Sequence, residues 1–173
     1  SALLSGIIAK SGVLVVIRFV YYSVGASFLR GTWAQYVWFC LAMITVFMGS
    51  MMAFKEQILK KRLAYSTISQ ISYAMLGLAL LSQGGLEGSL LQVMQHAPVK
   101  ACLFLCAGAF IYLYNKRDVR SLYGIGKKMP IVLWCFTFAA MSLVGIPPMG
   151  GFTSKWNLVK ASLESGLGVL GVI

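Results

Sequence analysis

Charge is what this sequence has least of. Only four of its 173 residues are acidic, and Asp, Glu, Lys and Arg together make up 11% of the chain. A soluble domain carries about a quarter charged residues, which argues against water as the main solvent. Histidine occurs once, at His96, and the four cysteines, Cys40, Cys102, Cys106 and Cys135, form no CxxC pair. A zinc, iron–sulfur or haem site therefore lacks its ligand set, so no metal and no cofactor is expected. The cysteines all lie in apolar runs and read as small packing residues. A nucleotide-binding loop is also missing, which argues against a redox enzyme in its own right.

What fills the chain instead is apolar sequence: 59% of the residues are hydrophobic, and the mean hydropathy is +0.82. Crossing a bilayer takes roughly 20 apolar residues, and several stretches reach that length. Segments run from about 2–29, 33–54, 63–81, 89–114 and 129–144, the last interrupted and resuming over 152–163, with a partial segment at 166–173. They are too long for strands and lack strict alternation. Only helices and closed barrels satisfy their backbone inside lipid. The expected fold is an all-α membrane protein: a single membrane domain over 1–173, a bundle of about five transmembrane helices plus a partial one. Both ends, at Ser1-Ala2-Leu3-Leu4 and Gly171-Val172-Ile173, read as cuts through a longer protein.

The formal net charge of +11 would suggest nucleic acid in a soluble chain. Here the basic residues gather in short loops, so no nucleic acid partner is expected. Loops 55–62 and 115–128 hold nine Lys or Arg between them, whereas 30–32 and 83–88 hold one Arg and one Glu. The positive-inside rule puts the first pair on the cytoplasmic side of a prokaryotic cytoplasmic membrane.

Of the basic residues inside apolar segments, four stand out: Lys10, His96, Lys100 and Lys155; Arg18, in the first segment, is a weaker candidate. A lysine at a helix centre costs roughly 2.5–3.5 kcal/mol on insertion scales, and such residues mark ion pathways by default. Lys10 has a second reading, in which its long side chain snorkels to the surface. His96 and Lys100 are four apart and share a helix face, so they could pass a proton directly or through water. Lys155 follows Gly145-Ile146-Pro147-Pro148-Met149-Gly150-Gly151, where two prolines and three glycines should break the helix. Broken helices place free backbone carbonyls at ion sites. The run Tyr65-Ser66-Thr67-Ile68-Ser69-Gln70 is polar for lipid and suits water wires or plain interhelical hydrogen bonds, with Gln70 the leading residue.

These stretches resemble the antiporter-like subunits of respiratory complex I, Mrp-type cation/proton antiporters and membrane-bound hydrogenases. The resemblance rests on Ser1-Ala2-Leu3-Leu4-Ser5-Gly6 with Lys10, on Lys60-Lys61-Arg62-Leu63-Ala64-Tyr65-Ser66-Thr67-Ile68-Ser69-Gln70, on His96-Ala97-Pro98-Val99-Lys100, and on Gly145 to Lys155. It implies a fold of roughly fourteen helices in two inverted repeats, of which this chain matches about a third. It further implies a hydrophilic axis through Lys10, Gln70, His96, Lys100 and Lys155. Lys10 resembles a connecting lysine, Lys100 the central lysine of a half-channel, and Lys155 the ionisable group near the exit. Some relatives carry histidine at the position of Gln70. The implied function is proton or sodium/proton translocation within a multi-subunit membrane complex, of the NADH-quinone oxidoreductase or hydrogenase type. The alternatives are an Mrp-type antiporter subunit with no redox partner and a non-conducting structural subunit.

Overall fold

The structure, a computed structural model, describes residues 4–114 and 118–165. Helix α1, Ala9–Ile17, is extended by π-helical turns at Leu4–Ile8 and Arg18–Val24. The short α2, Ala26–Leu29, leads into α3, Trp33–Lys55. Helix α4 is Leu59–Ala79 and α5 is Gln83–Tyr114. A 3₁₀ turn at Val119–Leu122 and the short α6, Ile125–Lys128, precede α7, Pro130–Val144, and α8, Gly150–Glu164. Ser5–Val24, Trp33–Lys55 and Gln83–Tyr114 are long and apolar enough to cross a membrane, and Pro130–Val144 is a shorter apolar helix.

Several boundaries differ from the hydropathy reading, each for a local reason. The first helix stops at Val24, because Gly25 turns to φ 87 and α2 is a separate turn. Helix α4 begins at Leu59, so Lys60, Lys61 and Arg62 lie in its first turn and not in a loop. Leu59 and Leu63, one turn apart, are both buried in one apolar cluster with Leu103 and Phe110 of α5. That burial draws the helix start ahead of the apolar run. The stretch 83–88, expected as a turn, is the beginning of α5. Ser82 caps it by accepting the Gly85 N–H at 3.1 Å, and the actual turn is Leu80–Ser82. Gly150 and Gly151, expected in the break, form the first turn of α8; the break itself narrows to residues 145–149. The segment 166–173 and the loop residues 115–117 lie outside the described residues.

Helix α5 is the centre of the bundle and packs against α4, α7, α8 and the N-terminal π turn, while α3 lies along α4. Small residues set the spacing, as membrane interfaces require when backbones approach closely. A Cβ on Gly88 would lie 3.2 Å from the Leu158 backbone nitrogen of α8, and one on Gly84 3.2 Å from the Ala161 Cβ. The glycines that looked like turn formers are therefore contact points for α8. At one end of the bundle Val119 N–H donates to the Gln57 carbonyl at 3.0 Å, with a single bridge between Ile58 and Asp118. This joins the two basic connections, as far as they are described, at the same end.

Gly49 of α3 sits directly against the backbone of α4. A Cβ there would stand 3.0 Å from the Ser69 backbone nitrogen and 3.2 Å from its Cα. Backbone cannot rotate away, so Gly49→Val should push α3 from α4. We expect a loss of about 1–3 kcal/mol, read as a lowered thermal midpoint in detergent. A midpoint equal to the parent's would show that the interface can relax around the side chain.

Candidate functional site: a buried polar band

The centre of the bundle is polar. Ser89, Gln92, His96 and Lys100 of α5 are all buried, with Lys100 at 0% exposure and His96 and Gln92 at 2%. They follow one another at intervals of three, four and four residues, which lines them along one face of α5. That stripe is inlaid between α4 and α8.

Lys100 reaches α4. Its Nζ donates to the Leu63 carbonyl at 3.0 Å and to the Ser66 hydroxyl at 2.5 Å. It therefore does not bond to His96, although the two share a face. The His96 Nε2 is buried and has no hydrogen-bond partner among the described residues.

Lys10 is buried at 5% exposure and donates from Nζ to its own helix, at the Ser5 carbonyl. The Ser5 hydroxyl meets Thr67 of α4 at 3.0 Å. Gly6 faces Ala97 and Ala101 of α5, while Val13 packs in a cluster that includes Ala74 and Leu78 with Leu90 and Val93. Lys10 lies one turn from each contact, so it stands at the level of His96. The surface-reaching alternative for Lys10 does not describe this geometry.

Gln70 is not an isolated hydrophilic residue. Its Oε1 accepts from the Gln92 Nε2 at 2.8 Å, and the Gln92 Oε1 accepts from the Ser154 hydroxyl at 2.6 Å. Ser154 also points to the Gln95 Oε1 at 3.5 Å, and the Gln95 Nε2 donates to Ser142 at its carbonyl, 3.2 Å, and hydroxyl, 3.3 Å. One chain of amides and hydroxyls thus links α4, α5, α8 and the end of α7.

Lys155 lies beyond it. Its Nζ donates to the carbonyls of Leu143 and Val144 at 3.1 and 2.9 Å, and sits 5.7 Å from the centroid of the Tyr73 ring. These carbonyls are free because α7 ends there, at Gly145 with φ 92. A cation suits the negative end of a helix dipole. Pro147 and Pro148 lie exposed in the break itself, while Gly151 is buried against the Ser142 carbonyl and Gln95.

Sequence reasoning missed Gln92, Gln95 and Ser154, whereas Ser66 lies in the polar run that suited interhelical hydrogen bonds. For Gln92 the signal was present, in its spacing to His96 and Lys100. Ser154 carries no comparable signal, because a membrane serine commonly bonds its own preceding turn. Among the described residues no group of three His, Cys, Asp or Glu could hold a metal ion.

The four acids complete the picture by their positions. Glu56, Glu87, Asp118 and Glu164 all stand at or near helix ends or in connections, and none is buried. The buried amines consequently have carbonyls and hydroxyls as partners, and no carboxylate. A polytopic helical bundle with a helix broken in mid-course and buried bases that lack a carboxylate partner is a membrane-protein architecture. The chain matches, over residues 1–173, the family described as NADH:quinone oxidoreductase/Mrp antiporter, TM, and it belongs to that family; it is an integral membrane protein. It is 36% identical to an NADH-quinone oxidoreductase subunit of Desulforudis audaxviator, over 95% of this chain and 33% of that protein. It is 38% identical to a Na(+)/H(+) antiporter subunit of Alkalihalophilus pseudofirmus, over 70% of this chain and 25% of that one. A chain of the Mrp complex from Dietzia sp. DQ12-45-1b superposes with a TM-score of 0.88 at 32% identity, covering 99% of this chain and 31% of its own length. The chain spans about a third of the length of the curated relatives it matches.

Gln92 is the junction of the amide chain. Gln92→Leu strands the Gln70 amide and the Ser154 hydroxyl in the interior, each costing about 1–3 kcal/mol. We expect a clear drop in thermal stability in detergent, and a smaller one for Gln92→Glu at low pH, where a protonated carboxyl can both donate and accept. Equal stability of Gln92→Leu and the parent would show that water replaces the amide.

Proposed function

We propose that this chain is the ion-conducting part of an antiporter-like subunit and that protons pass along Lys10, His96, Lys100 and Lys155. The whole of 1–173 acts in this reading as one membrane domain of a longer subunit. The observation that carries the proposal is Lys100. It is completely buried, its amine meets only a carbonyl and a hydroxyl, and no carboxylate is buried anywhere among the described residues. A purely structural lysine in a membrane gains its stability from a counter-ion or from snorkelling to the headgroups. Lys100 has neither. A buried charge without a counter-ion is expensive to keep, so this amine is poised to pass its proton on.

The mechanism follows from charge repulsion. A proton arriving on Lys10 or Lys100 makes a second positive charge on His96 unfavourable. Its Nε2 has no partner to anchor it, and is free to accept a proton or a water. Charge then shifts toward Lys155, whose carbonyl cradle at the end of α7 stabilises a cation. Gln70, Gln92, Gln95 and Ser154 do not titrate. They hold α4, α5 and α8 together and orient the dipoles between the two lysines. The helix break at Gly145, Pro147 and Pro148, closed by Gly150 and Gly151 at the head of α8, leaves the carbonyls free.

The end carrying loops 55–62 and 115–128 faces the cytoplasm in this reading, by the positive-inside rule. The partners are the lipid bilayer, protons or Na⁺, and other membrane subunits of a multi-subunit complex. The names of the relatives, one from an NADH-quinone oxidoreductase and one from a Na(+)/H(+) antiporter, support a coupled transporter of one of these kinds.

Lys100→Ala in the full-length subunit, within its complex, should lower proton transport at least tenfold and leave assembly intact. The readouts are acidification of reconstituted vesicles and the complex's elution on size exclusion. Transport at the parent rate overturns the proton pathway. Intact transport per assembled complex with lost assembly identifies a non-conducting structural subunit instead.

A further inference from the structure

A second site lies at the other end of the bundle, away from the buried bases. A cavity of about 520 Å³ opens between the end of α1, the short α2 and the turn from α4 to α5. Its polar wall is made by Tyr21, Ser27, Arg30, Ser82 and Gln83, and Leu81 and Leu86 complete it. Arg30 also borders a neighbouring cavity of about 430 Å³. That second space contains Glu164, which repels anions; the first contains no acidic residue.

We propose that the larger cavity binds the phosphate headgroup of an anionic phospholipid, with Arg30 as its principal contact. Three observations converge on it. The hydrogen bonds of the α2–α3 connection are made by its backbone and by Thr32 and Gln35, which receives the Gly31 N–H at 2.8 Å, and Arg30 lines both cavities with no side-chain hydrogen bond among the described residues. The Tyr21 hydroxyl is buried and without a hydrogen-bond partner among the described residues, and Tyr21 lines the same cavity as Arg30. A phosphate oxygen beside Arg30 would accept from both groups. Gln83, in the wall, opens the 32-residue α5, whose dipole favours an anion, although its side chain donates to Glu87 at 3.2 Å.

The position selects the source. The cavity lies where the apolar spans Ser5–Val24 and Gln83–Tyr114 end, at headgroup depth. Leu81 and Leu86 add apolar wall to the cavity, which an acyl chain can use and inorganic phosphate cannot. The described loops of this end hold one cation, Arg30, so a single headgroup is the expected stoichiometry. The site stands independently of the proton pathway, whose residues it does not touch.

The test uses the full-length subunit in nanodiscs of phosphatidylcholine doped with phosphatidylglycerol, followed by delipidation and native mass spectrometry. The parent should retain one phosphatidylglycerol per subunit. Arg30→Ala should lower that occupancy about tenfold and Tyr21→Phe by a smaller factor, with thermal midpoints in phosphatidylcholine alone unchanged. Should Arg30→Ala fail to fold, Ser27→Asp places a negative charge at an exposed position on the rim and should expel the lipid in the same way. Equal retention by the parent and by either folded charge variant overturns the proposal. Displacement of the bound species by millimolar inorganic phosphate overturns the lipid assignment.

Discussion

The hydrogen bonds from Lys100 to the Leu63 carbonyl and the Ser66 hydroxyl join α5 to α4 at a point that lipid cannot reach. An amine at that depth must be satisfied by the protein, and everything around it is arranged to do so. Leu63 and Ser66 lie near the start of α4 because Leu59 and Leu63 are pulled into the apolar cluster with Leu103 and Phe110. The same helix then carries Thr67 to Ser5, Gln70 to Gln92 and Tyr73 to Lys155. Helix α4 is thus the polar spine against which the buried bases of three other helices are set. This also explains why it is less apolar than a typical membrane helix and does not qualify as a span by hydropathy.

A membrane interior usually pairs its cations with anions. Here all four acids are kept at the periphery, and backbone carbonyls take their place. Carbonyl dipoles stabilise a cation less than a carboxylate would and do not trap the proton. The break after α7 is the extreme case. It frees the Leu143 and Val144 carbonyls, and Lys155 occupies them. Loss of helical hydrogen bonding there is recovered by the lysine, so the break and the base depend on each other.

Small residues make the polar chemistry possible. Gly84 and Gly88 were legible as flexible turn formers, yet they act as thin points that let α8 approach α5. Without that approach Ser154 would not reach Gln92. Close packing and hydrogen bonding are therefore one device in this bundle, since neither side-chain amides nor hydroxyls can span a wide gap.

The membrane class, the helical nature of the chain, the basic loops and the identities of Lys10, His96, Lys100 and Lys155 were all readable from the linear order of residues. Hydropathy and charge report solvent preference, and solvent preference is local. Gly145, Pro147 and Pro148 likewise marked the break, because proline and glycine act through their own backbone. The helix starts at Leu59 and Gln83 were not readable, because packing against α5 and α8 outweighed composition at those points. Nor did adjacency on one helix predict partners: His96 and Lys100 share a face, but Lys100 bonds across to α4, where the acceptors are. Gln92 showed its place only through spacing, Ser66 only as part of a polar run, and Ser154 showed none at all. Which hydroxyl meets which amide depends on how helices far apart in sequence are turned toward one another, and that rotation is decided by the tertiary packing of the glycines and leucines between them.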